Sequence, residues 1–135
     1  MKKLFTILLL NVCFFSFGQV TFTNVPQNKQ LVARNLDTNL GTVNISGTVN
    51  NSEANYDAIE VVVMRAGLFE DSRISETLNF NNNEAAFDID VTIKAQLTNY
   101  NVIINGLNEG NSTEIEQITE IVAGDVFIVQ GQSNA

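Results

Sequence analysis

The sequence predicts an all-β protein, folded as an antiparallel β-sandwich. Apolar and polar side chains alternate along several short segments, which is the period of a half-buried strand. Turns rich in asparagine and glycine separate these segments. Helical periodicity is almost lacking, because the best helical competitor, over residues 85–97, has the strict alternation of a strand.

The predicted strands follow one another at short intervals. In chain order they cover residues 20–25, 31–33, 43–49, 58–65, 73–80, 87–94, 99–107 and 113–122. Pro26 ends the first strand, and Gly47 suggests a bulge in the third. The continuous apolar run over residues 58–65 predicts a central strand buried on both faces. About seven short strands with such turns indicate an immunoglobulin-like or fibronectin-like outline.

Composition excludes several classes of function. The formal net charge is -8, which disfavours binding to nucleic acids and to anionic membrane surfaces. There is no histidine, so this chain cannot assemble a Ser-His-Asp triad or a zinc site built on imidazole. Cys13 is the single cysteine, which rules out an internal disulfide. We expect no metal and no organic cofactor.

The first residues are typical of a secretory signal peptide. Lys2 and Lys3 precede an apolar stretch over residues 4–15, which is too short to span a membrane. Small residues at Ser16 and Gly18 predict cleavage before Gln19. We therefore expect a secreted or periplasmic protein without a membrane anchor.

The last residues follow a different pattern. Gly124 and Asp125 predict a turn, and residues 126–129 form a compact apolar run before a small polar block. A buried strand that leads directly into such a turn is typical of the start of a parallel α/β sheet. We expect a signal peptide over residues 1–18, a β-sandwich over 19–122, and the start of a truncated second domain over 123–135.

The polar block contains Gly131, Gln132, Ser133 and Asn134. A serine at the end of a buried strand and the start of a helix faces open space, where free backbone N–H groups favour an oxyanion. Gly131 lets the backbone approach a substrate closely.

Residues 122–135 resemble the entry into the catalytic domain of sialate O-acetylesterases, which belong to the SGNH (GDSL-like) hydrolase superfamily. The resemblance implies that Ser133 is the nucleophile, that its N–H helps to form the oxyanion hole, and that Gln132 and Asn134 belong to the turn. A β-rich domain often precedes this block in the family. The family's catalytic histidine, its acidic partner and further oxyanion donors lie downstream and have no match here. Ala135 stands where methionine is frequent.

The resemblance, together with the signal peptide, implies the N-terminal part of a secreted carbohydrate O-acetylesterase that acts on acetylated sugars. The chain alone is expected to be inactive, because a serine without a base is a weak nucleophile. The alternative is a stand-alone exported β-sandwich that serves as a binding or adhesion module. The sequence leaves the oligomeric state open.

Other polar groups suggest weaker hypotheses, each with a plainer alternative. The loop of Asn51, Glu53, Asn55 and Asp57 has oxygen ligands that suit calcium, but it lacks the glycine-centred pattern of a calcium loop and fits a solvated turn better. The paired carboxylates Asp88 and Asp90 fit the wet face of a strand better than acid–base chemistry. Two tyrosines suggest stacking on a sugar, and three arginines suggest an anion clamp, although they are dispersed and favour ordinary salt bridges. These residues are Tyr56, Tyr100, Arg34, Arg65 and Arg73.

Overall fold

Strands with one apolar and one polar face make up most of the described chain. The computed structural model describes residues 20–52 and 55–126, and within them it contains eight strands and no helix. The strands are β1 (Val20–Asn24), β2 (Leu31–Ala33), β3 (Leu40–Asn50), β4 (Ala58–Arg65), β5 (Phe69–Thr77), β6 (Glu84–Lys94), β7 (Tyr100–Asn108) and β8 (Asn111–Gly124). The all-β prediction is confirmed, and the competing helix over residues 85–97 is wrong.

The eight strands form two sheets. The smaller sheet has the order β1-β3-β6, and the larger has the order β2-β8-β7-β4-β5. Neighbouring strands are antiparallel, except that the short β2 runs parallel to the end of β8. The connection from β1 to β2 crosses between the sheets, and the backbone N–H of Lys29 donates to the Thr119 carbonyl of β8 at 3.0 Å.

The buried faces of the two sheets share one hydrophobic core. In β6 every second residue is buried, which is the pattern that the alternation of residues 87–94 predicts. These side chains join those of β3 from the same sheet and those of β4, β7 and β8 from the other. Ile45, Val61, Val91, Val102 and Ile104 are each fully buried there. Two sheets that pack in this way are consistent with a β-sandwich.

The central position of β4 is confirmed. It lies between β5 and β7, and its burial extends to both faces. Ile59 and Val63 point into the core, while Glu60 and Val62, on the opposite face, are only 7% and 4% exposed. A continuous apolar run therefore marks a strand that is covered from both sides.

Two predicted turns contain residues with left-handed backbone conformations. Asn82 and Asn83, between β5 and β6, have φ angles of 50° and 68°. Glu109 and Gly110, between β7 and β8, have φ angles of 49° and 81°. Two such residues in succession make a tight turn, which asparagine and glycine tolerate best. The second turn closes the β7–β8 hairpin, whereas the first is closed only by an isolated bridge between Asn81 and Glu84, because β5 and β6 lie in different sheets.

Several strand boundaries differ from the prediction. β5 begins at Phe69 and ends at Thr77, rather than covering residues 73–80, because its pairing with β4 starts directly after the tight turn at residues 66–68. The extra residue of a bulge, Asp71, disturbs the alternation at its start. Gly124 ends β8 instead of forming a turn, since β2 pairs with it. Val126 lies outside any strand, and residues 127–129 lie outside the described residues.

Gly47 is not the bulge that the sequence suggests. It pairs regularly with Phe87, and the irregularity lies opposite, in β1, between Phe22 and Asn24. The rings of Phe22 and Phe87 meet edge to face, with centroids 6.2 Å apart. A Cβ at position 47 would collide with the Phe87 ring and with the Thr21 carbonyl oxygen, so glycine allows β1 to approach closely.

We predict that Gly47→Ala lowers the free energy of unfolding by about 1–3 kcal/mol, because β1 and the Phe87 ring must shift to make room. The matched control is Gly124→Ala, whose added Cβ would make an ordinary contact of 3.8 Å with Leu31. Urea denaturation measures both. Equal effects of the two substitutions would contradict the close approach of β1.

Candidate functional site

The predicted nucleophile turn lies outside the described residues. This holds for Gly131, Gln132, Ser133 and Asn134, and also for residues 1–19, which contain the predicted signal peptide. The structure describes the chain up to Val126, a few residues before the turn. It therefore shows where the polypeptide leaves the sheets on its way to Ser133, and these predictions stay predictions.

An ion pair fixes the point at which the chain leaves the sheets. Arg34 Nε donates a hydrogen bond to Asp125 Oδ2 at 2.8 Å, and Arg34 Nη2 lies 2.7 Å from the same oxygen. Arg34 Nη1 also donates to Asn39 Oδ1 at 2.7 Å. The hydrogen bond and the negative charge of Asp125 raise the pKa of Arg34 above its ordinary value. We call this contact the exit ion pair.

The backbone around the exit ion pair is also paired. Ala33 lies opposite Gly124 in the parallel ladder of β2 and β8, and the N–H of Arg34 donates to the Gly124 carbonyl at 3.3 Å. The last residue of β8 and Asp125 are therefore held by both main chain and side chain. Sequence analysis missed this contact, because Arg34 and Asp125 are 91 positions apart and no local pattern connects them.

The three arginines do not form a common anion clamp. Arg34 pairs with Asp125, Arg65 lies 3.9 Å from a carboxylate of β5, and Arg73 binds two glutamates. The structure thus shows separate ion pairs, which is the alternative that their dispersion in the sequence favours.

A polar network lies on the outer face of the larger sheet. Glu60 Oε1 accepts a hydrogen bond from Arg73 Nη1 at 2.8 Å, and Glu60 Oε2 accepts one from Asn105 Nδ2 at 3.0 Å. Arg73 also binds Glu70, with Nη2 and Oε2 2.7 Å apart. Three adjacent strands of the larger sheet contribute to this network, β5, β4 and β7.

The network keeps a buried carboxylate ionised. Burial by itself raises the pKa of Glu60, but the hydrogen bonds from Arg73 and Asn105 and the charge of Arg73 outweigh it and hold this pKa below its ordinary value. The pKa of Glu70 is lowered mainly by its hydrogen bond from Arg73. Sequence analysis missed the network, although a carboxylate inside the apolar run of β4 signals a need for partners.

The tyrosines do not form a platform for a sugar. Tyr100 is fully buried in the core, and its hydroxyl accepts a hydrogen bond from Gln96 Nε2 at 2.7 Å, so the stacking hypothesis is wrong for this residue. Tyr56 is half-buried, and its ring lies against Gly106, where an added Cβ would approach the ring to 2.5 Å. The Tyr56 ring therefore packs on backbone of the larger sheet.

The paired carboxylates of β6 lie on its exposed face. Asn44 Nδ2 donates to Asp88 Oδ1 at 2.6 Å and to Asp90 Oδ1 at 2.8 Å, so one amide bridges both groups. This is the solvent-exposed strand face that the sequence predicts in preference to an acid–base site.

The calcium hypothesis gains no support in the described part of the chain. Asp57 accepts a hydrogen bond from the Glu109 N–H at 3.0 Å, and Glu53 lies outside the described residues. Over residues 20–52 and 55–126, no three acidic or thiol side chains gather in a way that would hold a metal ion.

Exposed apolar side chains gather at one end of the sheets. Here β2, β4, β6 and β8 end and β3, β5 and β7 begin, as the pairings show. Of the seven large apolar side chains that are notably exposed among the described residues, five lie at this end. We call them the apolar pole: Leu36, Leu68, Phe69, Leu97 and Val126.

Comparisons with known proteins identify no protein similar to this chain. A scan against protein-family models matches no family, and searches of curated proteins and of solved structures find no match. A search of the described residues for a helix long and apolar enough to cross a membrane finds none.

We predict that Glu60 makes stability depend on pH. Because its pKa is lower in the folded chain, its contribution is present above its unfolded pKa of about 4.5 and is lost as the pH falls through the folded value. Glu60→Gln should therefore be less stable than the parent chain at pH 7, and the difference should narrow below about pH 4.5. Urea denaturation at several pH values measures this difference in the free energy of unfolding.

The control for this experiment is Glu84→Gln, which alters an exposed side chain of β6 that joins none of the ion pairs among the described residues. Glu84→Gln should change the free energy of unfolding only slightly at every pH. A difference between Glu60→Gln and the parent that stays constant down to pH 3 would show that Glu60 does not titrate as argued.

Proposed function

We propose that this chain is the N-terminal part of a secreted carbohydrate O-acetylesterase, similar to sialate O-acetylesterases of the SGNH hydrolase superfamily. The observation that carries the proposal is the block Gly131-Gln132-Ser133-Asn134 directly after the apolar run of residues 126–129. The exit ion pair supports it, since a rigid point just before residue 126 suits the entry into a further domain.

In this proposal Ser133 is the nucleophile. Its oxygen attacks the acetyl carbonyl of the sugar ester while a base accepts the hydroxyl proton, and the sugar hydroxyl leaves as an acetyl-enzyme forms. Water then attacks the acetyl-enzyme, which releases acetate and restores the serine. This chain has no histidine, so the base that the family uses lies beyond its 135 residues.

We propose further that residues 20–124 form an accessory domain with an immunoglobulin-like or fibronectin-like fold. The strand order supports this, because β1, β3 and β6 form one sheet while β4, β7 and β8 share the other, as in immunoglobulin-type sandwiches. Tyr100 adds support. It begins β7 directly after the connection from β6, which is the place of the tyrosine corner in such domains, although its hydroxyl is bound here by the side-chain amide of Gln96 and not by backbone.

One observation favours the alternative of a stand-alone binding module. A polar cleft of about 600 Å³ lies between the β1–β2 connection and β3. Five of its eleven lining residues carry side-chain amides, namely Asn24, Gln27, Asn28, Gln30 and Asn44. Amides both donate and accept hydrogen bonds and so suit a neutral ligand rich in hydroxyl groups. The esterase requires Ser133 to react with the ester, whereas the binding module does not.

We predict that the 135-residue chain does not hydrolyse p-nitrophenyl acetate, whereas the polypeptide extended by its own downstream coding sequence does. Ser133→Ala should lower the kcat/KM of the extended protein by at least about 10³-fold, because the nucleophile is lost. A colorimetric assay measures the released nitrophenolate.

The matched control is Ser112→Ala, which alters an exposed serine at the start of β8. It should leave the activity unchanged. Full activity of the extended Ser133→Ala protein would remove Ser133 as the nucleophile. A downstream frame that encodes no α/β pattern with a late Asp-x-x-His segment would favour the binding module.

A further inference from the structure

One edge of β8 is open along most of its length. Within residues 20–52 and 55–126, β2 is the only strand that pairs with this edge, and it reaches residues 122–124 alone. Just before them the connection from β1 to β2 binds Thr119, whose N–H donates to Asn28 Oδ1 at 2.7 Å and whose carbonyl accepts from Lys29. Residues 111–118 therefore have an edge that no described strand covers, and an uncovered edge presents main-chain N–H and C=O groups to a partner.

A cavity of about 450 Å³ lies against this open edge. It is lined by Val20 and Phe22 of β1, by Tyr56 and by residues 113–116 of β8. One face of a regular strand supplies only every second residue, so four consecutive lining residues indicate that the cavity runs along the edge of β8 rather than over one face. We call this cavity the edge groove.

The floor of the edge groove is apolar. Val20, Phe22, Tyr56 and Ile115 are half-buried, and they pack against the hydrophobic core. Ile115 is also the extra residue of a bulge in β8, where the regular pairing with β7 shifts by one residue. Bulges of this kind commonly turn a side chain towards a site at the edge of a sheet. An apolar side chain of a partner would therefore find apolar contacts directly beside the open edge.

The wall of the groove on the side of β8 is acidic. Glu114 and Glu116 are exposed, and they join none of the ion pairs among the described residues. Glu116 Oε1 instead accepts a hydrogen bond at 3.3 Å from the N–H of Gln117. This N–H points to the open edge, because Gln117 lies two residues before Thr119 in the same strand. No lysine or arginine lines the groove, so a cation of the partner would meet two carboxylates without a competitor.

We propose that the edge groove binds a basic segment of another protein, which adds to β8 as an extended strand. Main-chain hydrogen bonds to the open edge hold the segment, and a carbonyl of the segment replaces Glu116 at the Gln117 N–H. Its apolar side chains contact Phe22 and Ile115, while its lysines or arginines pair with Glu114 and Glu116.

Charge decides between possible occupants of the groove. Each copy of this chain has a formal net charge of -8, so a second copy would bring like charges to two uncompensated carboxylates. A basic segment brings the opposite charge. The inference goes beyond the proposed function, because it involves neither Ser133 nor the polar cleft beside the β1–β2 connection.

The probe is a hexapeptide of alternating lysine and valine with acetylated and amidated ends. Isothermal titration calorimetry measures its Kd for the complete chain and for a variant with Glu114→Gln and Glu116→Gln. We expect the variant to bind at least about tenfold more weakly, because it lacks the two carboxylates that pair with the lysines. The matched control carries Asp37→Asn and Glu84→Gln, which remove two exposed charges that do not line the groove, and it should bind like the parent chain.

A second peptide separates strand addition from attraction between charges. It has the same sequence with an N-methyl group on every main-chain amide, which keeps the lysine charges and removes the main-chain donors. We expect this peptide to bind the parent chain at least about tenfold more weakly than the first one. Hydrogen exchange followed by mass spectrometry should show slower exchange at Gln117 when the first peptide is bound.

Three results would overturn the proposal. The first is that the unmethylated peptide does not bind the parent chain. The second is an equal Kd for the parent chain and for the variant with Glu114→Gln and Glu116→Gln. The third is equal binding of the two peptides, which would identify attraction between charges without a β-strand. Ser133 is unchanged throughout, so these outcomes are independent of the esterase assay.

Discussion

The parallel pairing of β2 with β8, completed by the exit ion pair, fixes where the polypeptide leaves the two sheets. Without β2 the last residues of β8 would have no partner on that side, and Asp125 would lose Arg34. The pairing depends in turn on the connection from β1 to β2, which crosses between the sheets and binds Thr119 through Lys29. This arrangement holds the end of β8 and Asp125 in place.

The described residues use their polar groups for structure. Glu60 accepts hydrogen bonds from Arg73 and Asn105 on the outer face of the larger sheet, and Tyr100 is buried in the core. A site for chemistry would need such groups to converge on open space. These four side chains do not converge on open space, and the proposed activity rests instead on the sequence motif around Ser133.

Local periodicity predicted much of the fold, because the side-chain period of two decides which face of a strand is buried. The bounds of β4 and the alternation of β6 followed directly from it. The start of β5 did not, since its polar residues become a strand only through pairing with β4. The exit ion pair and the apolar pole join positions far apart in the chain, so only the topology reveals them. The turn around Ser133 lies outside the described residues and rests on its motif alone.

The most direct test of the functional account is the reaction of the native protein, isolated from its own cells, with a fluorophosphonate that modifies activated serines. Peptide mass spectrometry then locates the modified residue. The account predicts modification of Ser133, because the proposed esterase would activate this serine with a general base. An unmodified Ser133, in a sample whose other serine hydrolases react fully, would contradict the account.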